Sequence, residues 1–142
     1  MSGSLTEAFE ERLLADGALQ ALLASYNSTL AIFASRAAAG DAELPYLVIS
    51  GPIATRSADT KTSRGVQTWY DVRCYAALSD TPGEVDAIAG AVRGALHRTK
   101  LLSVDGYRIE VVEVTGPVAA DEERAQGRAL TVRIIMREQE GS

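Results

Sequence analysis

The sequence predicts an α+β domain of the layered, sandwich-like kind, with an N-terminal helix pair, a mostly antiparallel sheet of about four strands and one long amphipathic helix packed on the sheet. Two features predict this class. Apolar residues recur at helical spacing near the N-terminus and again over residues 82–97, and runs rich in β-branched and aromatic residues lie on both sides of the second segment. The length of 142 residues favours a single domain, residues 1–142, with an ordered core over 4–138.

The composition narrows the class of function. The chain is 46% hydrophobic and 23% charged, as is typical of globular proteins, and its net charge of −5 argues against binding nucleic acid by neutralising phosphates. One cysteine cannot form an internal disulfide, and one cysteine with one histidine is a poor donor set for zinc. Neither a membrane span nor a signal peptide is expected, because no apolar run approaches roughly 20 residues and no basic N-terminal region precedes one.

The N-terminal helix pair is predicted from caps and spacing. Ser4 and Glu7 form a capping box for a helix over residues 5–15, whose apolar face consists of Leu5, Ala8, Phe9 and Leu13. Asp16 follows as the cap of a second, shorter helix that carries Leu19, Leu22 and Leu23. Residues 25–44 are undecided, since their apolar island fits a short strand or a helical turn equally well: Leu30, Ile32 and Phe33.

Two strands are expected in the middle of the chain. Pro45 precedes a continuous apolar run of strand length over residues 46–50. Residues 66–76 form a second and longer strand, rich in β-branched and aromatic residues. Its even-numbered positions are expected to face the core: Val66, Thr68, Tyr70, Val72, Cys74 and Ala76.

The long amphipathic helix has the clearest start signal in the chain. Thr81 suits the cap position, Pro82 suits the first helical position, and Glu84 closes a capping box. The apolar residues that follow share one face: Val85, Ile88, Val92, Ala95 and Leu96. The helix is therefore predicted over residues 82–97, with this face against the sheet.

Further strands are expected after this helix. Segments 101–104 and 107–114 flank Asp105-Gly106, a dipeptide suited to a two-residue hairpin turn. A last strand over 130–138 alternates, and one of its faces is apolar: Leu130, Val132, Ile134 and Met136.

Two connections are longer than usual. Residues 51–65 and 116–127 are expected to form long loops, and loops of that length are often functional. The first is polar and carries three cations, and the second has an acidic centre. The three cations, Arg56, Lys61 and Arg64, belong either to a solvated loop or to a contact with another chain. The acidic centre of the second loop consists of Asp121, Glu122 and Glu123.

No set of residues points to catalysis or to a bound cofactor. His97 is the only histidine and ends the long helix, where a cation stabilises the helix dipole. Cys74 alternates with apolar neighbours on an inward face, where a free thiol behaves as a small hydrophobe. Gly90 and Gly94 lie within a helix and do not form a phosphate-binding turn. We therefore expect no catalytic residue, no cofactor and no metal.

Several strings resemble a known family. After the helix pair come ELPYLVIS at 43–50, a polar loop, VQTWYDV at 66–72 and VDAIAGAVRGAL at 85–96. In order and in sequence these elements resemble the tail completion or tail terminator proteins of long-tailed phages and of the related gene transfer agents. The resemblance covers about residues 5–138.

This resemblance implies a structural virion protein and not an enzyme. Its subunits would form a ring, usually six-fold, at the head-proximal end of the tail tube, in a phage or phage-like particle made in the host cytoplasm. The ring would stop tube growth and contact the tail tube protein and the head connector or stopper protein. DNA would only pass through its lumen, and no membrane would be involved. The basic and acidic segments would be the two contact surfaces between subunits or with the tube.

Three other functions stay open at this point. Another neck or minor tail component could share the same fold. The chain could instead be a small cytoplasmic enzyme that uses Cys74 or His97, or a cytoplasmic adaptor unrelated to phages. A ring of identical subunits in solution would favour the first interpretation, and a stable monomer with small-molecule turnover would favour the enzyme.

Overall fold

The computed structural model describes residues 5–26, 29–33, 43–61, 64–77, 83–97, 107–122 and 125–138. The elements in chain order are α1 Leu5–Leu14, α2 Gly17–Leu22, β1 Ser25–Tyr26, β2 Thr29–Leu30, β3 Ile32–Phe33, β4 Tyr46–Ser57, β5 Gly65–Ala77, α3 Gly83–Leu96, β6 Tyr107–Ala119 and β7 Ala125–Glu138. Within the described residues the main sheet has five strands in the order β3-β4-β5-β7-β6, and its pairs are antiparallel except that β3 is parallel to β4.

The predicted α+β class is confirmed, with one strand more than expected. The extra strand is β3, whose residues belong to the undecided stretch 25–44 and pair with Leu47 and Val48. β1 and β2 form a separate two-stranded hairpin. The apolar island is therefore strand, and its shortness explains why periodicity could not identify it.

The helices lie on one face of the sheet, and their apolar residues form a single core with it. α1 buries the predicted face, and Phe9 packs edge-on against Tyr70 with ring centroids 4.9 Å apart. The hydroxyls of Thr6 and Tyr70 are 2.9 Å apart and form a hydrogen bond. Burial of a side chain such as Phe9 stabilises the fold by about 1.5–3 kcal/mol, so this contact fixes α1 on β5.

The predicted caps are confirmed in part. The Asp16 carboxylate accepts a hydrogen bond from the backbone N–H of Leu19 at 3.1 Å, as an N-cap should. α3 buries its predicted face from Val85 to Leu96. Other predicted features lie outside the described residues, namely Ser4, Thr81, Pro82, the segment 101–104 and the turn Asp105-Gly106.

The alternation of β5 is confirmed. From Thr68 to Ala76 every even-numbered residue is buried under the helices, while Val66 is partly buried against the same core. Tyr75 departs from the pattern, because it is odd-numbered and only 5% exposed. It packs with Val48 and Ala125 in a small cluster on the opposite face of the sheet.

The expected long loop over 51–65 is wrong. β4 continues to Ser57, so residues 51–57 are strand and only 58–64 connect it to β5. The register shifts between Ser50 and Ala54. Gly51 lies at this irregularity with a φ of 150°, and an added Cβ would stand 2.6 Å from the Tyr70 ring. Residues 51–57 are exposed on both faces, so they lack the alternation that predicts a strand.

The expected long loop over 116–127 is wrong for the same reason. β6 extends to Ala119 and β7 begins at Ala125, which leaves residues 120–124 as the connection. The Gly116-Pro117 dipeptide has the composition of a loop, but it lies at a register shift between Thr115 and Val118. A bulge accommodates an extra residue inside a strand, and glycine is the residue that tolerates the φ of 109° found here.

Candidate assembly surfaces

The two hairpins that carry the candidate contacts lie at opposite ends of the sheet. In the β5–β7 pair, Gly65 is opposite Arg137 at one end and Ala77 is opposite Ala125 at the other. The connection 58–64 is at the first end and 120–124 is at the second. At about 3.3 Å per residue, the 13 residues of β5 separate the two ends by about 40 Å.

One end carries uncompensated positive charge. We call residues 51–64 the basic arm. Its three cations are all exposed, and none of them forms an ion pair within the described residues: Arg56, Lys61 and Arg64. Asp59 accepts a hydrogen bond from the Gly65 N–H at 2.9 Å, so this carboxylate closes the turn. Arg137 contacts the arm directly after the end of β4, where its guanidinium donates to the Ala58 carbonyl. The same guanidinium pairs with Glu110 at 3.1 Å.

The other end is acidic. We call the exposed segment 118–122 the acidic end. Asp121 accepts a hydrogen bond from the Gly127 N–H at 2.9 Å and lies 3.4 Å from the Arg128 guanidinium. Arg128 also pairs with Asp86 of α3 at 2.9 Å, so one cation serves two carboxylates. Glu123 lies outside the described residues.

Glu122 adds to this negative charge without a cationic partner among the described residues. It is exposed, and its backbone forms a bridge with Ala125. The pKa of Tyr46 is raised, mainly by burial and then by the negative charge of Glu122. The pKa of Tyr75 is also raised, mainly by burial, and Glu122 adds to the increase through a hydrogen bond and through its negative charge. These two tyrosines therefore stay neutral beside the acidic end.

The sheet face away from the helices carries charged groups that pair with one another, beside the small cluster around Tyr75. Arg133 lies 3.3 Å from Glu113 and donates to the Gln67 side chain at 2.9 Å. Arg73 lies 3.7 Å from Asp71 in the neighbouring part of β5. Since these cross-strand groups balance one another, the charge contrast of the molecule is strongest at its two ends.

His97 lies at the end of α3, as predicted, and also contacts β6. Its Nδ1 accepts a hydrogen bond from the backbone N–H of Val114 at 3.1 Å. Arg93, one turn earlier in α3, donates to the Val114 carbonyl at 2.6 Å and to the Gly116 carbonyl at 3.4 Å. We call this pair of side chains the edge clasp. It joins the end of α3 to the outer edge of β6, which a helix-dipole argument does not predict.

The remaining residues give no reactive group. Cys74 is buried, as predicted, and burial raises its pKa to about 12, so it is a neutral thiol at pH 7. A Cβ built at Gly90 or Gly94 would meet open space, so no described element packs closely against either glycine. Within the described ranges, no three His, Cys, Asp or Glu side chains are grouped to hold a metal ion. No helix described here is long and apolar enough to cross a membrane.

The candidate contact residues are thus separated into two groups within one subunit. Arg56, Lys61 and Arg64 cannot reach Asp121 or Glu122 across about 40 Å of sheet. The two groups can meet only between copies of the chain. The residue pattern alone did not identify the pair of Asp86 and Arg128 beside the acidic end, because the two residues are 42 positions apart in the sequence.

Comparison with known proteins finds a matching family and similar solved structures. The family model described as "Tail completion protein gp17" matches residues 7–138. No curated protein is significantly similar to the chain. Among solved structures, a chain from the virion of a native gene transfer agent (GTA) particle superposes with a TM-score of 0.77 and 22% sequence identity, over 95% of this chain and 96% of that chain. At this identity the second match shows a shared fold.

Proposed function

The chain belongs to the tail completion protein gp17 family and is a structural tail component of a phage-type virion, and we propose that its copies form a ring at the head-proximal end of the tail tube. The proposed ring has six-fold symmetry. The ring ends tube growth and joins the tail to the head connector or stopper protein. Its contacts are with itself, with the tail tube protein and with that connector. DNA passes through its lumen.

The observation that carries this proposal is the opposite charge at the two ends of the sheet. A ring built from head-to-tail contacts needs two different and complementary surfaces on each subunit. The basic arm offers three unpaired cations, and the acidic end offers Asp121 and Glu122 at a distance of about 40 Å. Contacts between identical ends would bring like charges together, so this distribution favours a head-to-tail arrangement.

These charges contribute more to the specificity of the contact between subunits than to its affinity. An exposed ion pair contributes only about 0.2–1 kcal/mol, so a few of them cannot hold a ring together by themselves. Complementary charges do exclude wrong pairings and orient the partners as they meet. The net charge of −5 also gives DNA no broad phosphate-neutralising surface, which suits a passage through which DNA must slide.

The decisive experiment locates the chain in the particle. In a particle-producing host, deletion of the gene should give heads and tails that are not joined, and the wild-type gene supplied in trans should restore them. A gold label on an epitope-tagged chain should lie at the head–tail junction. A label along the tube or at the tail tip, with normally joined particles in the deletion, would assign the chain to another minor tail role.

A further inference from the structure

The two outer edges of the sheet are not equivalent. In an antiparallel strand, the N–H and C=O of one residue point to the same side and alternate along the chain. At Val114 both groups point away from β7, because the N–H donates to His97 and the C=O accepts from Arg93. The Gly116 carbonyl accepts a hydrogen bond from the same Arg93 guanidinium. The edge clasp therefore occupies the middle of the β6 edge.

The edge of the basic arm is open. Ala58 donates its N–H to the Gly65 carbonyl at 2.9 Å, so residues with the parity of Ala58 face β5. Thr55 and Ser57 have the other parity, and their backbone groups face away from β5. β3 covers β4 only at Leu47 and Val48. Among the described residues, none hydrogen-bonds to the outward backbone groups of Thr55 and Ser57.

A second open edge lies beyond the clasp, at the acidic end. Ala120 donates to the Gly127 carbonyl and Glu122 to the Ala125 carbonyl, so both face β7. Ala119 and Asp121 therefore direct their backbone groups outward. β4 and β6 run antiparallel to each other, because each of the three intervening pairs is antiparallel. A neighbouring copy in the same orientation presents these edges as an antiparallel pair.

We propose that copies of the chain join by strand addition, in which the free edge of the basic arm at Thr55 and Ser57 pairs with Asp121 and Ala119 of the next copy. The free edge of the arm thus pairs with a second copy of the chain. The middle of β6 is not available for this pairing, because the edge clasp already binds its backbone groups. The inference rests on the proposed function for the head-to-tail contact and adds how that contact is made.

The chemistry of both edges fits this pairing. Two outward residues on each strand supply up to about four backbone hydrogen bonds, which is how added strands gain affinity. With Ser57 opposite Ala119, Arg56 lies opposite Ala120 and diagonal to Glu122, within reach of a long side chain. Arg56 and Glu122, which have no ion-pair partner among the described residues, then compensate each other, and two exposed strand edges are covered.

Engineered cysteines test the pairing directly. A chain carrying Ser57→Cys and Ala119→Cys should form disulfide-linked oligomers under mild oxidation, since opposed Cα atoms in antiparallel strands are about 5.5 Å apart, a distance that a disulfide spans. Cys74 is buried and will not interfere. Ser57→Cys with Thr115→Cys, which lies beside the clasp, should not cross-link. No cross-link in the first variant, while native mass spectrometry shows an intact ring, would overturn the proposal.

Proline provides the second test. Thr55→Pro removes the outward N–H, fixes φ at this residue and leaves every charge in place, whereas Thr55→Val keeps the N–H. Ring formation should fall at least tenfold for the proline variant and not for the valine variant. Equal ring yields would overturn strand addition and leave a ring held by charge alone. Cross-linked rings from a chain that is absent from the head–tail junction would uphold the strand pairing and refute the proposed function.

Discussion

At the scale of single residues, Cys74 is a packing residue. It is fully buried, and burial alone raises its pKa to about 12. A nucleophilic cysteine would need the opposite, a lowered pKa next to a base or a cation. The inward position that the alternation predicted is confirmed, so the thiol is explained by the core it helps to fill.

Replacement of this thiol should lower the stability of the fold only slightly at neutral pH. Cys74→Ala leaves a small cavity, and we expect it to lower the free energy of unfolding by about 1 kcal/mol without loss of assembly. Because the folded-state pKa is raised, the stability due to the neutral thiol is present below the unfolded pKa near 9.0 and falls as pH approaches 12. Urea unfolding should thus show the difference between wild type and variant shrinking above pH 9. A stable, folded variant that cannot assemble would contradict this.

His97 contributes through one acceptor nitrogen. His97→Leu leaves the Val114 N–H without its acceptor, so we expect amide exchange at Val114 to rise about tenfold, as for the loss of one hydrogen bond of about 1–1.5 kcal/mol. His97→Gln keeps an acceptor oxygen and should retain most of the protection, with assembly intact. Hydrogen–deuterium exchange resolved to single amides measures both. Equal exchange in the two variants would show that the contact is incidental.

At the scale of elements, the two faces of β5 differ in what they tolerate. Val72 is 0% exposed under the helices, whereas Arg73 is exposed on the opposite face. Val72→Asp would bury an unpaired charge and should unfold the domain, while Arg73→Asp should leave it folded. Circular dichroism distinguishes the two outcomes. An unfolded Arg73→Asp protein beside a folded Val72→Asp protein would mean that the described strand register is wrong.

The strands also show where a polar composition misleads. The segments around Gly51 and Gly116 contain the glycine and proline of a loop, yet both are strand with shifted register. Hydrogen bonds to β5 and β7 stabilise these segments, and such bonds depend on neighbours far away in the sequence. Residues 51–57 of the arm are therefore strand, which suits them to form a defined contact.

At the scale of the whole molecule, charge is distributed along the sheet. Arg56→Glu combined with Arg64→Glu should reduce ring formation strongly, because the arm would then repel the acidic end of the next copy. Adding Glu122→Arg should restore part of it. Arg108→Glu is the matched control, since Arg108 is at the same end of the sheet but belongs to β6 and pairs with Glu110. Native mass spectrometry gives the oligomer distribution, and rings of unchanged yield in the double variant would refute the charge contact.

The sequence by itself determined the class, the helices and the inward faces of the long strands. These follow from local causes: the Asp16 cap, the apolar face of α3, and the two-residue alternation of β5 from Thr68 to Ala76. A resemblance in three short strings also identified the family to which residues 7–138 belong. Local spacing is sufficient wherever one side of an element is buried and the other is exposed.

Only the tertiary structure decided the form of the candidate surfaces. The pattern identified the basic and acidic residues but not their separation of about 40 Å, since the pairing of β5 with β7 joins residues 48 to 72 positions apart. It also placed His97 at the end of α3, which is confirmed, but only the fold brings this side chain to the edge of β6. The physical reason is the same in both cases: strand pairing and edge contacts are made between segments distant in sequence, and a local pattern carries no information about which segments meet.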